Sequence, residues 1–169
     1  MIDERFSIVL TVHDRLSTLN FFLGSIFKNS RYKDHEIVLL SLGGSGLIKA
    51  ASELELSEIK RITENITALI DSERDSLDAP LPANRQSFLE TCNKVGIDCH
   101  VLELRAIENY LSDKAVKAIK GTKYHSLKPY EKLEEASPSW AKQENWRIVR
   151  EMTPEELNNT DLGKFLRSL

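Results

Sequence analysis

The chain has 169 residues, 41% of them hydrophobic, with 23 Lys and Arg against 26 Asp and Glu and a formal net charge of −3. That is one ordinary domain, or one compact domain with a helical appendage, long enough to bury a core without disulfide or metal staples. The mild acidity excludes bulk electrostatic coating of nucleic acid, and the longest apolar runs, such as Ile37 to Leu40, fall far short of the roughly 18 residues of a membrane helix.

In chain order, Phe6 to Val12 reads as a strand. Ser17 to Phe27 follows as a helix, with Leu19, Phe22, Leu23, Ile26 and Phe27 at helical spacing. A second strand, Glu36 to Leu42, runs into Gly43-Gly44-Ser45-Gly46 and a helix that starts at Leu47. Those glycines lack the Gly-Lys-Ser/Thr ending of a P-loop and read as a tight turn. The third strand, Thr67 to Ile70, ends in Asp71-Ser72-Glu73-Arg74-Asp75. Pro80 and Pro82 make 76–84 a loop. Arg85 to Val95 is helical and stops at Gly96, and Asp98 to Leu104 is the fourth strand. Beyond it, Ile107 to Ile119 reads as a helix, Gly121 to Pro129 as a basic loop, and Trp140–Met152 and Pro154–Leu169 as two more helices. Thr153, Pro154 and Glu156 form a capping-box start for the last of these.

This alternation predicts an α/β fold with about four strands in a mainly parallel sheet, helices on both faces, and a C-terminal helical extension. Residues 1–112 form the expected α/β domain and 113–169 the basic loop and helical extension. The N-terminus shows no basic region followed by a small-residue cleavage site, which predicts a cytoplasmic protein. Cys92 and Cys99 read as core-filling thiols rather than a disulfide framework.

Acids gather where strands end, the place where ligands bind in open α/β sheets. Asp14 follows the first strand, Asp71 and Glu73 the third, and Glu108 the fourth. On an extended turn the Asp71 and Glu73 carboxylates would point to the same side. Such a cluster is costly without a cation, and its hard oxygens suit Mg²⁺ or Mn²⁺ rather than zinc. Spacing alone also fits a solvated turn with surface acids.

Leu69-Ile70-Asp71-Ser72-Glu73-Arg74-Asp75, followed by Arg105-Ala106-Ile107-Glu108-Asn109-Tyr110-Leu111, resembles the topoisomerase–primase (TOPRIM) domain, and within it the OLD-family (overcoming lysogenization defect) nuclease type. The resemblance runs from about Phe6 to Leu111. It departs from the family at the opening acids, where Asp14 stands for glutamate and Thr18 for the second acid, and at Glu73, where aspartate is usual.

The resemblance implies a metal-dependent DNA endonuclease, making single- or double-strand cuts and working with an ATPase domain or partner, in anti-phage defence. It implies two Mg²⁺ or Mn²⁺ ions held by Asp14, Asp71, Glu73 and Glu108, with Asp14 a ligand or general base. Ser72 would assist through its hydroxyl or amide. Lys142, chosen from the place of its helix in the chain, would steady the transition state. The departures also fit a degenerate module that binds DNA or a protein partner without cutting. Lys114, Lys117, Lys120, Lys123 and Lys128 read either as a phosphate-tracking patch, with Tyr124 and Tyr130 against sugar or base, or as a solvated face. His13 is an acid–base candidate or a structural histidine. No membrane contact is expected, and a homo-oligomer is compatible with the pattern.

Overall fold

A computed structural model describes residues 6–11, 35–41, 53–62 and 66–169. The chain is a mixed α/β protein whose contacts fall into two compact units, Met1–Ile70 with Pro82–Val101, and Asp71–Leu81 with Leu102–Leu169.

The first unit is built on parallel strands. β1 (Phe6–Thr11) pairs with β2 (His35–Ser41), β2 with β3 (Ile66–Ile70), and β3 with β4 (Asp98–Val101), so the strand order follows the chain order. Right-handed crossovers between successive neighbours all pass over one face of such a sheet. Helix α1 (Glu53–Ile62) lies in the β2–β3 connection and α2 (Ala83–Val95) in the β3–β4 connection, and the two pack on each other, with Lys94 bridging to Glu53. β3 is apolar along its length, with Ile66, Ala68, Leu69 and Ile70 all buried. α2 buries Phe88 and Cys92 and ends at Gly96, whose φ of +73° is the left-handed cap that glycine supplies without strain. Cys92 is fully buried and Cys99 partly so. Both are free thiols, and the Cys92 sulfur together with burial pushes the Cys99 thiol well above its ordinary range. The helices expected over 17–27 and from Leu47, the glycine turn 43–46, and the candidate residues His13, Asp14 and Thr18 lie outside the described residues.

The second unit corrects the expected division at 112/113. The turn after β3 belongs with the C-terminal half because its backbone is tied there. The Ser72 hydroxyl donates to the Leu104 carbonyl at 2.7 Å, and the Glu73 amide to the Arg105 carbonyl at 2.9 Å. β4 is shorter than its apolar run for the same reason. The Glu103, Leu104 and Arg105 amides donate to the Asp161 carboxylate, the Tyr110 hydroxyl and the Pro129 carbonyl, leaving nothing for a ladder.

The expected helix over 107–119 is split into a 3₁₀ turn (Ile107–Tyr110) and α3 (Asp113–Lys120). Ser112 divides them, its hydroxyl capping the Ala115 amide at 3.3 Å. The C-terminal helices are likewise broken up, into α4 (Asn145–Val149), entered through a 3₁₀ turn at Lys142–Glu144, then α5 (Pro154–Leu157) and α6 (Asp161–Ser168). The Glu156 carboxylate accepts from the Thr153 amide at 2.6 Å, as the capping pattern requires. The break after α5 falls at Asn158-Asn159-Thr160, residues whose side chains compete with helical bonding, and Thr160 caps α6 through Gly163. The core of this unit gathers Leu111, Val116, Leu127, Leu133, Trp140 and Ile148.

A candidate active site around Asp71 and Glu108

Asp71, Glu73, Glu108 and Lys142 all belong to the second unit. Asp71 is the first residue after β3 and is only 4% exposed. Its Oδ1 accepts from the Ile107 amide at 3.0 Å, so the start of the 3₁₀ turn holds the carboxyl in place. Glu108, one residue further along that turn, is also 4% exposed. Burial and then the neighbouring Glu108 push the Asp71 carboxyl up to about 7, with Glu73 adding to the rise, while the Ile107 amide and Lys142 act against it.

Glu108 is held from the α4 side of the unit. Its Oε1 lies 3.4 Å from Lys142 Nζ and accepts from Asn145 Nδ2 at 3.2 Å. Asn145 is in turn oriented by Trp140, whose indole donates to its Oδ1 at 2.9 Å. The lysine singled out from the order of helices therefore does stand beside Glu108. Asn145 gave no comparable signal, since an amide five residues after a tryptophan carries no pattern of its own.

Glu73 departs from the geometry expected of it. The same-side argument for Asp71 and Glu73 needs an extended turn, whereas Glu73 has φ +54°, left-handed for a non-glycine residue. Its carboxylate meets Arg105 Nη2 at 2.8 Å. Arg105 Nη1 completes the clamp on the Glu73 carbonyl at 3.2 Å, the Arg74 carbonyl at 2.9 Å and Asp75 Oδ1 at 2.7 Å. A turn with acids at 71, 73 and 75 calls for such a cation, and Arg105 was the basic residue at the head of the Glu108 segment.

Among the described residues no three Asp, Glu, His or Cys side chains form a group that could hold a metal ion. The expected set of four is thus not assembled there: Asp14 lies outside the described residues and Glu73 is engaged by Arg105. Asp71 and Glu108 remain as a buried acidic pair with Lys142 at its edge. Ser72, fully buried, spends its hydroxyl on Leu104 and accepts from the Arg74 amide at 3.4 Å. A cavity lined by Glu73, Arg105, Glu108, Asn109, Lys132 and Lys142 opens beside the pair, with room of about 50 Å³ for a water-sized group.

Two of the five lysines read as a phosphate patch are taken up by acids. Lys117 pairs with Asp113 at 2.6 Å and Lys120 with Glu144 at 2.6 Å, while Lys114, Lys123 and Lys128 are exposed. The tyrosines are also committed. Tyr124 packs on the core with Lys120 Nζ 5.5 Å from its ring centre, and Tyr130 donates to the Glu103 carbonyl at 3.3 Å.

No described helix is long and apolar enough to cross a membrane. Compared with family models, curated proteins and solved structures, the chain gives no match.

Proposed function

We propose that the chain is a metal-dependent phosphodiesterase acting on DNA, a TOPRIM-like nuclease module in which Asp71 and Glu108 are the central acids. The observation that carries the reading is the juxtaposition of two buried, mutually repelling carboxyls with a lysine 3.4 Å from one of them. A divalent cation relieves that repulsion. Two hard oxygens from protein fit Mg²⁺ or Mn²⁺, which commonly take one or two carboxylates and complete their shell with water and substrate phosphate.

Asp71 and Glu108 would hold the ion, which when bound supplies a more acidic water and neutralises phosphate charge. A second ion would need further donors, and Asp14 is the candidate. Lys142 swings between Glu108 and a phosphoryl oxygen, being 53% exposed on its side chain. Asn145 fixes the Glu108 carboxylate, and Ile107 the Asp71 carboxylate, so neither acid reorients when a cation or phosphate arrives. Glu73 and Arg105 shape the turn rather than bind the ion. Activity in concert with an ATPase, and a role in anti-phage defence, follow from the family resemblance alone.

A second reading, a module that binds DNA or a protein without cutting, is favoured by one specific feature: Glu73, the acid at the usual aspartate position, is neutralised by Arg105. Supercoiled plasmid with Mn²⁺ or Mg²⁺ separates the two. The nuclease reading expects nicking by the wild-type chain and none by Asp71→Asn or Glu108→Gln. An intact plasmid, with no Mn²⁺ binding by calorimetry, would overturn it.

A further inference from the structure

The outer face of α4 carries a feature that the site chemistry leaves unused. Trp146 is 58% exposed, and the guanidinium carbons of Arg147 and Arg150 stand 5.7 and 5.9 Å from its ring centre. Val149 beside them is 52% exposed, while Ile148 anchors the helix in the core. Neither arginine forms an ion pair among the described residues. The nearest acid acting on them is Glu144, which Lys120 already pairs at 2.6 Å and which Arg147 helps hold below the usual carboxylate range. The result is an exposed indole flanked by two arginines, on a surface where the nearby acid is already paired with a lysine.

This face is joined to the acidic pair by one helix. Asn145, the residue before Trp146, hydrogen-bonds Glu108, and Lys142 in the preceding turn reaches the same carboxylate. Successive Cα atoms are about 3.8 Å apart, so a strand with one base at Trp146 has its backbone within a few nucleotides of Glu108.

We propose that Trp146, Arg147 and Arg150 form a single-stranded DNA platform, on which an unpaired base stacks against the indole while the arginines hold its flanking phosphates. Aromatic stacking beside guanidinium groups is how sequence-tolerant single-strand binders grip nucleic acid, since every base has a π-face and every nucleotide a phosphate. The arginines stand about 2 Å beyond close van der Waals contact with the ring centre, loose enough to turn toward an incoming phosphate. A lipid surface fits less well, because only Trp146 and Val149 would enter it from a five-residue helix. The proposal rests on the nuclease reading for the direction of the strand toward Glu108, but binding can be read without cleavage.

The test uses the full chain, fluorescein-labelled oligo-dT of twelve nucleotides, and EDTA to silence any metal chemistry. Wild-type protein should bind the oligonucleotide more tightly than a duplex of equal length, with quenching of indole emission. Trp146→Ala should weaken binding about tenfold and Trp146→Phe much less. Arg147→Gln with Arg150→Gln should lower the salt dependence, with the slope in log–log form reduced by about 1. Unchanged melting of the variants checks that the fold is retained, and Asp71→Asn should bind like wild type. Equal binding by Trp146→Ala and wild type overturns the platform. So does Trp146 emission that responds to anionic phosphatidylserine vesicles and not to DNA, or a wild-type dimer that Trp146→Ala dissociates without any DNA binding. Loss of plasmid nicking with oligonucleotide binding intact would count against the nuclease reading and leave the platform standing.

Discussion

The phenol of Tyr110 donates a 2.6 Å hydrogen bond to the buried carboxylate of Asp161, 51 residues further along the chain. The other Asp161 oxygen accepts from the Glu103 amide at 3.0 Å, and the phenol oxygen accepts from the Leu104 amide at 3.1 Å. One contact thus fixes the segment after β4, the 3₁₀ turn that carries Glu108, and the start of α6.

Tyr110→Phe should therefore cost about 2–3 kcal/mol, the range for a hydrogen bond to a charged group plus a buried amide left without its acceptor. Urea unfolding measures it. Burial, then the Asp161 carboxylate, push the phenol above its ordinary range. The native state binds that proton more tightly, so this contribution is complete below about pH 10 and is lost only as the pH rises above it.

Asp71 predicts a pH dependence of the same sign at lower pH. Its folded pKa of about 7 lies above the ordinary 3.8. Stability is fully present below pH 4 and is lost as the pH rises through the window from 4 to 7, because the unfolded chain gives up the proton first. Asp71→Asn should raise the melting temperature at pH 8 and change it little at pH 4. Millimolar Mn²⁺ should stabilise the wild-type chain at pH 8 and the variant much less. Equal melting shifts at both pH values would remove the buried-acid account of the site.

The centres of the strands were legible because short apolar β-forming runs are a local signal, but their ends were not. β4 stops at Val101 although the apolar run continues to Leu104, since long-range acceptors claim the amides that follow. The acids of the site could be named from the turn after β3 and the segment after β4. That Glu73 turns left-handed toward Arg105 could not, because a non-glycine residue at positive φ leaves no mark in the sequence. Glu108-Asn109-Tyr110 was visible as a unit, yet its three side chains do separate things: Glu108 faces Lys142, Asn109 ties down a loop, and Tyr110 anchors α6.

The loop held by Asn109 gives a prediction of its own. Its Nδ2 donates to the Lys128 carbonyl at 2.6 Å and the Glu131 carbonyl at 2.9 Å, while Oδ1 accepts from the Ala106 amide at 3.0 Å. Asn109→Asp keeps the shape but sets a carboxylate oxygen against two carbonyls, so it should destabilise more than Asn109→Ala. Hydrogen exchange over 121–132 should accelerate in both, and further in the aspartate variant.

Arg105→Lys tests the clamp on the turn. Four acceptors surround one planar fork, and an ammonium cannot meet them together. A loss of about 1–3 kcal/mol is expected, read by denaturant unfolding. Glu73→Gly should be milder than Glu73→Val, because glycine adopts the left-handed φ of +54° without strain and a β-branched residue does not.

Gly163 couples the end of the chain to the Tyr110–Asp161 bond. A Cβ at this position would stand 1.9 Å from the Leu157 carbonyl oxygen and 2.6 Å from its carbon, both backbone atoms of α5. That same carbonyl accepts from the Thr160 hydroxyl at 2.7 Å, and the hydroxyl accepts from the Gly163 amide at 2.9 Å, so α5 cannot simply back away. Gly163→Ala should cost about 1–3 kcal/mol or more as α6 shifts. Because Asp161 sits two residues earlier in the same helical turn, the shift strains its bond to Tyr110. Gly163→Ala combined with Tyr110→Phe should then be less damaging than the sum of the two by at least about 0.5 kcal/mol. Strict additivity would mean that α6 holds its position through other contacts and that the glycine serves only the α5–α6 approach.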